Sequence, residues 1–333
     1  MTSSAERSLG VSSDPGSEAA QAPEPTEPTE PADREPGSPQ KPRGIWGEAW
    51  RELRRSPLFV VSVVLIFFVV SMAAFPWLYT SADPNAQDLS RSLTPPDFSG
   101  WGSAWFGYDL YGRDVYARTI YGARASLVVG LFATLGTMLL GGAVGLLAGY
   151  TGGRTDTLLA RIADVFFGLP FILGAIVILT TFVGLNPEQN VVKIMGIVIV
   201  TIIVLSWPVA MRIIRSSAIA TKQQDFVRAA RGLGASPGRI IRQHVLPNSL
   251  APGLVYGTIA FGSFVGAEAT LSFLGVGLRP PVISWGVMIS ESRDYITTYP
   301  YLLFFPAAAL VITVLAFVML GDAVRDALDP KLR

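Results

Sequence analysis

The chain has 333 residues, of which 50% are hydrophobic and 15% are charged, and its mean hydropathy is +0.44. A soluble domain with a charged surface rarely has this composition, so these values predict a membrane protein. The net charge of +1 carries little information, because basic and acidic residues are segregated along the chain. The absence of cysteine excludes disulfides and thiolate chemistry, and the single histidine argues against a histidine-based metal site.

Residues 1–43 contain eight prolines and eight acidic residues among serine, threonine, glycine and alanine. A segment with so few apolar side chains cannot bury a core, so we predict a disordered tail. A secretory signal would need an early basic patch followed by an apolar region, and this tail has neither, which places it in the cytoplasm. Composition does not separate a tail with a specific role from one that is simply solvated.

Residues 44–57 have the pattern of an interfacial helix, with apolar side chains at helical spacing and arginines between them. These residues are Trp46, Trp50, Leu53, Arg51, Arg54 and Arg55. Residues 58–79 then form the first predicted span, since about 20 helical residues suffice to cross a bilayer. The arginines before this span place its start in the cytoplasm.

The next segment, residues 80–118, carries five acidic and three basic residues among proline, glycine and aromatic residues, which predicts an extracytoplasmic location. Five further spans are predicted, at residues 124–149, 158–184, 191–211, 252–277 and 301–321. Six spans place both ends of the chain in the cytoplasm. The transmembrane core is then residues 119–325, and residues 326–333 are a cytoplasmic C-terminus.

Charge agrees with this topology. The loop at residues 212–242 has seven basic residues against the single acid Asp225, whereas the loop at residues 278–300 is neutral. Cytoplasmic loops carry an excess of lysine and arginine, so the first loop is predicted to be cytoplasmic and the second extracytoplasmic.

The predicted spans contain residues that favour close packing or bending. Gly141 and Gly145 are separated by one helical turn in the second span, a spacing that lets another helix approach closely. Pro170 in the third span and Pro208 in the fourth predict bends, because proline removes a backbone hydrogen bond. Such bends serve either gating or packing, and the sequence does not choose between them.

Ionisable residues inside spans are rare, because each costs on the order of 3 kcal/mol on insertion scales. Glu268 lies past the middle of the fifth span, where it could face a translocation cavity that receives a peptide amino terminus. The alternatives are a structural hydrogen bond to a neighbouring helix or a position nearer the outer interface. Arg161 and Asp164, three residues apart near the inner end of the third span, are predicted to pair locally.

Residues 217–250 are too polar to cross a bilayer and too regularly patterned for a spacer. Thr221 and Gln224 have the spacing of a capping box, which predicts the start of a helix. The following small or apolar residues share one helix face; they are Phe226, Ala229, Ala230 and Leu233. Gly234 then predicts a bend, since a side chain there would resist a positive φ.

A second short helix is predicted after this bend, with Ser236 as N-cap and Pro237 at its first position. It carries Ile240, Ile241, His244 and Val245, and Pro247 is expected to end it. A paired-helix loop with a face of small residues is suited to enter a groove on a partner protein. The competing explanation is that topology and lipid headgroups alone favour this basic loop.

This loop resembles the EAA loop of binding-protein-dependent ABC importer permeases, whose pattern contains two alanines, a glycine and a later His-x-Leu-Pro. The matching residues here are Ala229, Ala230, Gly234, His244, Leu246 and Pro247. Arg228 stands where the family has a glutamate. The resemblance implies that this loop couples the chain to a partner ATPase, with Phe226 and Leu233 completing the contact face.

Two other stretches resemble the C-type subunit of the dipeptide, oligopeptide and nickel permease group. They are Trp105 to Leu127, which enters the second span, and Ala269 to Ile289, which ends the fifth span and begins the next loop. With the EAA loop, the resemblance covers roughly residues 45–330. It implies an all-α type I ABC importer permease in a bacterial plasma membrane.

The resemblance also implies partners: a B-type second permease subunit, two cytoplasmic ATP-binding subunits and an extracytoplasmic peptide-binding protein. No phosphate-loop motif occurs in the chain, so ATP and magnesium are expected on the ATP-binding subunits, and no cofactor is expected here. His244 has no acid and nucleophile beside it in a pattern typical of hydrolases, so we predict a non-catalytic subunit without a nucleic-acid partner.

Three other functions remain open at this level. A nickel or other non-peptide ABC importer would share the same architecture, because the motifs report ATPase docking more than ligand choice. A secondary transporter would show repeat symmetry and broken helices around a midplane site, and no convincing repeat is present. A membrane scaffold would tolerate mutations in the 217–250 loop without loss of uptake.

Overall fold

The structure is a computed structural model that describes residues 50–51, 53–99, 104–183 and 190–328. The predicted tail and half of the predicted interfacial helix, residues 44–49 and 52, lie outside these ranges, and Trp50, Arg51 and Leu53 are helical. The described part is built from α-helices joined by turns, which confirms the predicted all-α class.

Ten helices are named here in chain order. They are α1 (Pro57–Ala74), α2 (Val115–Thr151), α3 (Gly153–Phe167), α4 (Phe171–Phe182), α5 (Val191–Lys222), α6 (Asp225–Gly232), α7 (Pro237–Ile240), α8 (Leu246–Phe273), α9 (Trp285–Glu291) and α10 (Tyr301–Leu328). Among the described residues, five helices are long and apolar enough to cross a membrane, or six if α3 and α4 form one broken span. The longest helices pack in a bundle in which α2 lies along α5 and α8, and α10 lies along α1 and α8.

The first span is shorter than predicted, because α1 ends at Ala74 instead of continuing to residue 79. Ser56 caps its start by accepting a hydrogen bond from the backbone N–H of Phe59, and Pro57 occupies the first turn. At the other end, Pro76 has no N–H to continue the helix, and the chain turns into a 3₁₀ segment, Pro76–Leu78.

The third predicted span is not continuous. Helices α3 and α4 meet at an angle of 83° around Gly168, Leu169 and Pro170, so the bend predicted at Pro170 in the 158–184 span is present, as a break between two helices. Pro170 explains the break, because proline lacks the N–H that would extend α3 and disfavours helical geometry at the residue before it. The sequence located the bend but not its size.

The second and fourth spans are longer than predicted. Asp114 caps α2 by accepting hydrogen bonds from two backbone N–H groups at 2.8 and 3.1 Å, so this helix begins nine residues earlier than residue 124. With 37 and 32 residues, α2 and α5 are about 55 and 48 Å long at 1.5 Å per residue. Both exceed the roughly 30 Å of hydrocarbon, so each projects beyond it.

Helix α5 continues past residue 211 because acids on α3 pair with its arginines. Arg215 forms a two-pronged pair with Asp156, in which the second contact is 2.7 Å, and Arg212 lies 2.7 Å from Asp164. The predicted local pair between Arg161 and Asp164 is present at 3.9 Å, but the shorter contact of Asp164 is the one to α5. Hydropathy alone could not place this polar turn in a helix.

Glycines form the contact surface between α2 and α5. A Cβ atom added to Gly141 would lie 2.5 Å from the carbonyl oxygen of Trp207. A Cβ atom added to Gly145 would lie 2.4 Å from the carbonyl oxygen of Met211. Gly149 continues this surface one turn further along. The predicted close packing of the small-residue pair is therefore present, and α5 is its partner.

A largely buried ion-pair cluster ties the first turn of α2 and the residues before it to α9. Arg118 lies 2.9 Å from Glu291, which Arg113 also contacts at 3.0 Å. Arg113 in turn reaches Asp109 at 2.6 Å. The side chain of Arg118 is only 3% exposed, so water provides little compensation for its charge, whereas Glu291 is 27% exposed.

Removal of Arg118 should destabilise the fold much more than removal of an exposed arginine. Arg118→Ala leaves Arg113 as the one arginine beside two partly buried carboxylates, Asp109 and Glu291, and we expect a loss of about 2–3 kcal/mol. Arg91→Ala is the matched control, since Arg91 and Asp88 are 59% and 49% exposed and such pairs contribute about 1 kcal/mol at most. Thermal unfolding of the purified chain in detergent measures both changes, and equal shifts in Tm would contradict the assignment.

Candidate functional site

The helix pair predicted at residues 217–250 is present, but it starts later than expected. Helix α5 runs through Thr221 to Lys222, and Gln224 takes the N-cap position of α6 without a side-chain capping bond. The predicted capping box was therefore wrong. Thr221 is buried in the last turn of α5, where helix-to-helix packing overrides the local capping signal.

The predicted bend after α6 occurs at Gly234, which has φ +82°. The N–H of Gly234 donates to the carbonyl of Arg231, and that of Ala235 donates to the carbonyl of Ala230. This pair of bonds is the Schellman motif, in which the residue after the helix takes a left-handed conformation. A Cβ on Gly234 would meet nothing within 4 Å, so the requirement for glycine is conformational and not steric.

The second helix of the pair continues directly into the fifth span. Ser236 and Pro237 occupy the predicted N-cap and first position of α7, and a π-helical turn, Ile241–Val245, joins α7 to α8. The expectation that Pro247 ends this helix was wrong. Because Pro247 lies in the first turn after the π-turn, its missing N–H does not interrupt the helix, and Pro237–Phe273 forms one helical rod.

A small apolar cluster anchors the pair to the bundle. Val227 and Val245 are fully buried and Ile240 is 1% exposed, and they pack against Ala218 at the end of α5. The ammonium group of Lys222 also donates to a backbone carbonyl at the end of α2. The sequence prediction missed Val227. A helix that presents one apolar face outward also needs an apolar residue on another face to attach it to the rest of the protein, and Val227 is that residue.

The predicted contact face points away from this anchor. Phe226 is 44% exposed and Leu233 is 89% exposed, Ala229 is exposed, and Ala230 is partly buried. In the other helix, His244 is partly buried, with its ring centroid 5.9 Å from that of Phe226, and Leu246 and Pro247 are exposed. We call Phe226, Ala229, Ala230 and Leu233 the docking face.

Positive charge surrounds the docking face. Arg228, at the position where the resembling family has glutamate, is 69% exposed and lies 3.5 Å from Asp225. Arg231, Arg239 and Arg242 are exposed as well. An apolar patch with a basic rim is suited to bind a protein surface of opposite charge, with the apolar centre excluding water and the rim aiding association.

Glu268 is not part of this surface. It is fully buried in α8, near the end opposite α7, and accepts hydrogen bonds from the hydroxyl groups of Ser126, Ser272 and Ser284. This geometry corresponds to the structural alternative considered above, a hydrogen-bonded carboxyl group between elements, and does not place the side chain in an open cavity.

Two family models match the chain. Residues 141–333 match the binding-protein-dependent transport system inner membrane component, and residues 44–96 match the N-terminal TM domain of oligopeptide transport permease C. The first match covers the docking face, the 237–273 rod and every helix from the middle of α2 onwards.

Curated relatives are similar over most of their length. The dipeptide transport system permease protein DppC of Alkalihalophilus pseudofirmus is 38% identical over 86% of this chain and 90% of its own. The oligopeptide transport system permease protein OppC of Bacillus subtilis is 34% identical over 88% and 92%. The glutathione transport system permease protein GsiD of Pectobacterium atrosepticum is 36% identical over 86% and 92%.

A solved structure shares the fold. An inward-facing conformation of the MetNI methionine ABC transporter superposes with a TM-score of 0.52 at 23% identity, covering 63% of this chain and 96% of that one. At this identity the likeness supports the type I importer fold alone. The family resemblance seen in the sequence is confirmed by these matches, and the chain belongs to the family of binding-protein-dependent transport system inner membrane components.

Proposed function

We propose that the chain is the C-type permease subunit of an ATP-driven importer that carries short peptides into the cytoplasm by alternating access. The observation that carries this proposal is the exposed docking face, held on a left-handed glycine bend at the end of a 37-residue helical rod. The substrate class follows from the printed names of the relatives, which transport dipeptides, oligopeptides or glutathione, itself a short peptide.

Within this proposal, each residue of the coupling loop has a physical role. Phe226, Ala229, Ala230 and Leu233 fill a groove on an ATP-binding subunit, and the small alanines let the two backbones approach closely. Gly234 fixes the angle between α6 and α7. His244 supports Phe226 from the second helix, while Leu246 and Pro247 connect the loop to α8. Closure of the ATP-binding subunits then displaces the pair as a unit.

The proposal includes the orientation and the partners. Basic residues around the docking face favour a cytoplasmic location for it, and in this orientation α9 lies at the extracytoplasmic end of the rod. The partners are a second, B-type permease subunit, two ATP-binding subunits that hold ATP and magnesium, and an extracytoplasmic peptide-binding protein. The membrane is a bacterial plasma membrane, with both termini in the cytoplasm.

Uptake by the reconstituted complex tests this function. The chain, its partner permease and the ATP-binding subunits are reconstituted in proteoliposomes, and binding protein is added outside. The vesicles should accumulate a labelled dipeptide only when ATP is present on the side of the membrane where the ATP-binding subunits lie. Glutathione and nickel ions form the comparison set, because a non-peptide importer would share the same docking loop. Accumulation of nickel in preference to all peptides would contradict the substrate class, and transport without nucleotide would contradict the mechanism.

A further inference from the structure

Glu268 is a buried acid that the docking mechanism does not use. Its side chain is 0% exposed, and none of the ion pairs among the described residues includes it. A carboxyl group without a charged partner in a membrane-spanning helix is costly to keep unless hydrogen bonds satisfy its oxygens. Three serine hydroxyls do so here, at 2.8, 3.0 and 3.1 Å.

The three serines come from three different elements. Ser272 lies one turn along α8, Ser126 lies in α2, and Ser284 is the N-cap of α9. Glu268 therefore accepts hydrogen bonds from residues of α2 and α8 and from the N-cap residue of α9. Its Oε1 atom receives Ser272 and Ser284, and its Oε2 atom receives Ser126.

Each serine oxygen is also engaged by a backbone N–H group. Ser272 accepts from Leu278, Ser284 accepts from Val287, and Ser126 accepts from Trp285. Each hydroxyl has one hydrogen to donate and lies within hydrogen-bond distance of a carboxyl oxygen, so it can accept from the backbone N–H and donate to Glu268 at the same time. The result is three short relays from backbone N–H groups through hydroxyls to Glu268, and all three backbone donors lie between the end of α8 and the middle of α9.

Helix α9 is packed tightly against α2 and α8 beside Glu268. The indole N–H of Trp285 donates to the carbonyl of Thr119 at 2.9 Å, and Trp285 is completely buried. A Cβ on Gly286 would lie 2.6 Å from the Cα of Ala269, so α9 rests on the backbone of α8 next to Glu268. The carboxyl group is therefore at the centre of the contact between α9, α2 and α8.

The other end of the same rod is joined through the Gly234 bend to α6, which carries the docking face. Pro237–Phe273 is a helical run of 37 residues, about 55 Å at 1.5 Å per residue, and Glu268 lies in its last two turns. The run contains a π-helical turn and Pro252, so a movement imposed at α7 reaches Glu268 only if the run moves as one unit. What that movement does next depends on how firmly α9 is attached.

We propose that Glu268 is a positioning residue that clamps α9 to the outer end of the 237–273 rod and to α2, so that displacement of the coupling loop is passed to the extracytoplasmic surface. The proposal rests on the function given above, since it requires ATP-binding subunits at α6 and α7 and a binding protein at the opposite face. The clamp itself is a property of this chain alone.

The decisive variant is Glu268→Ala in the full complex. It should lower the stimulation of ATP hydrolysis by binding protein at least tenfold while ATP-binding subunits remain attached, because the docking face is unchanged. Glu268→Gln keeps the shape and one acceptor oxygen, so it should recover most of the stimulation. Thr270→Ala is the matched control, since Thr270 is exposed two residues away and its hydroxyl bonds only to its own helix at Gly266.

The outcomes separate a clamp from general damage. Stimulation by binding protein that is equal in Glu268→Ala and Thr270→Ala would overturn the proposal. If Glu268→Ala does not assemble, Ser284→Ala decides, because it removes the direct link from Glu268 to α9, together with the N-cap bond from Val287, and leaves two donors to Glu268 in place. Normal stimulation in Ser284→Ala would then overturn it, and a selective loss would support it.

A second measurement needs no transport and so remains informative if the proposed substrate class fails. The chain has no native cysteine, and Val287 on α9 is 2% exposed. Val287→Cys in the isolated chain should react slowly with a water-soluble maleimide, and addition of Glu268→Ala should raise the rate at least tenfold. An unchanged rate would show that Glu268 does not hold α9 in place.

Discussion

Replacement of Gly145 by valine is expected to prevent accumulation of the folded chain. The Cβ atom would lie 2.4 Å from the carbonyl oxygen of Met211 and 3.1 Å from the backbone nitrogen of Arg215, and these are backbone atoms that cannot move without displacing α5. Overpacking of this kind costs about 3 kcal/mol or more. The yield of monodisperse protein after size-exclusion chromatography in detergent, together with its Tm, measures the effect.

Gly142→Val is the matched control for this prediction. Gly142 is the neighbour of Gly141 on the same helix, but a Cβ added there meets nothing within 4 Å. The same chemical change should therefore leave the isolated chain close to the parent in yield and Tm. Similar losses in Gly142→Val and Gly145→Val would show that helix propensity, and not the approach of α5, explains the effect.

Leu233→Asp is expected to release the proposed ATP-binding subunits from an otherwise folded permease. Leu233 is 89% exposed at the end of α6, the side chain of largest exposure among the described large hydrophobic residues. A carboxylate placed in an apolar groove loses its hydration without gaining a partner. Loss of a hot-spot residue costs about 2 kcal/mol of binding free energy, so the affinity for the ATP-binding subunits should fall roughly 30-fold. Co-purification of the ATP-binding subunits and the Kd for their binding report the loss.

Gln243→Asp is the control that separates the loss of an apolar contact from the effect of an added negative charge. Gln243 is exposed in the same loop, in the π-helical turn and outside the docking face, and its replacement changes the net charge by the same amount. We expect its Kd to remain within about threefold of the parent, since the docking surface keeps its apolar centre. An equal loss in both variants would show that the basic rim alone holds the partner, which would contradict the assignment of the docking face.

Local sequence signals predicted the features whose physics is local. Hydropathy located the spans, because about 20 consecutive apolar residues can satisfy their backbone groups in lipid only as a helix. The spacing of Gly141 and Gly145 predicted close packing, and Gly234 predicted the left-handed bend, because the absence of a Cβ permits both without reference to the rest of the chain. The motifs of the coupling loop likewise identified the family before any fold was known.

Boundaries were predicted less well, because tertiary contacts decide where a helix stops. The charges of Arg212 and Arg215 led to the prediction of a loop at these positions. In the structure both arginines lie within α5, where they pair with acids on α3. Thr221 resembles an N-cap, yet it is buried in a helix that continues. Pro247 resembles a terminator, yet a π-helical turn places it at the start of α8.

The sequence by itself determined the all-α membrane class, the family and the position of the helix pair for which we propose a docking role, since these depend on composition, hydrophobic periodicity and motifs. Only the tertiary structure decided that α3 and α4 meet at 83°, that Val227 anchors the loop while Phe226 stays exposed, and that Glu268 meets three serines. The physical reason is that such partners come from elements distant in the chain, and the free energy of a buried polar group depends on which of them it meets.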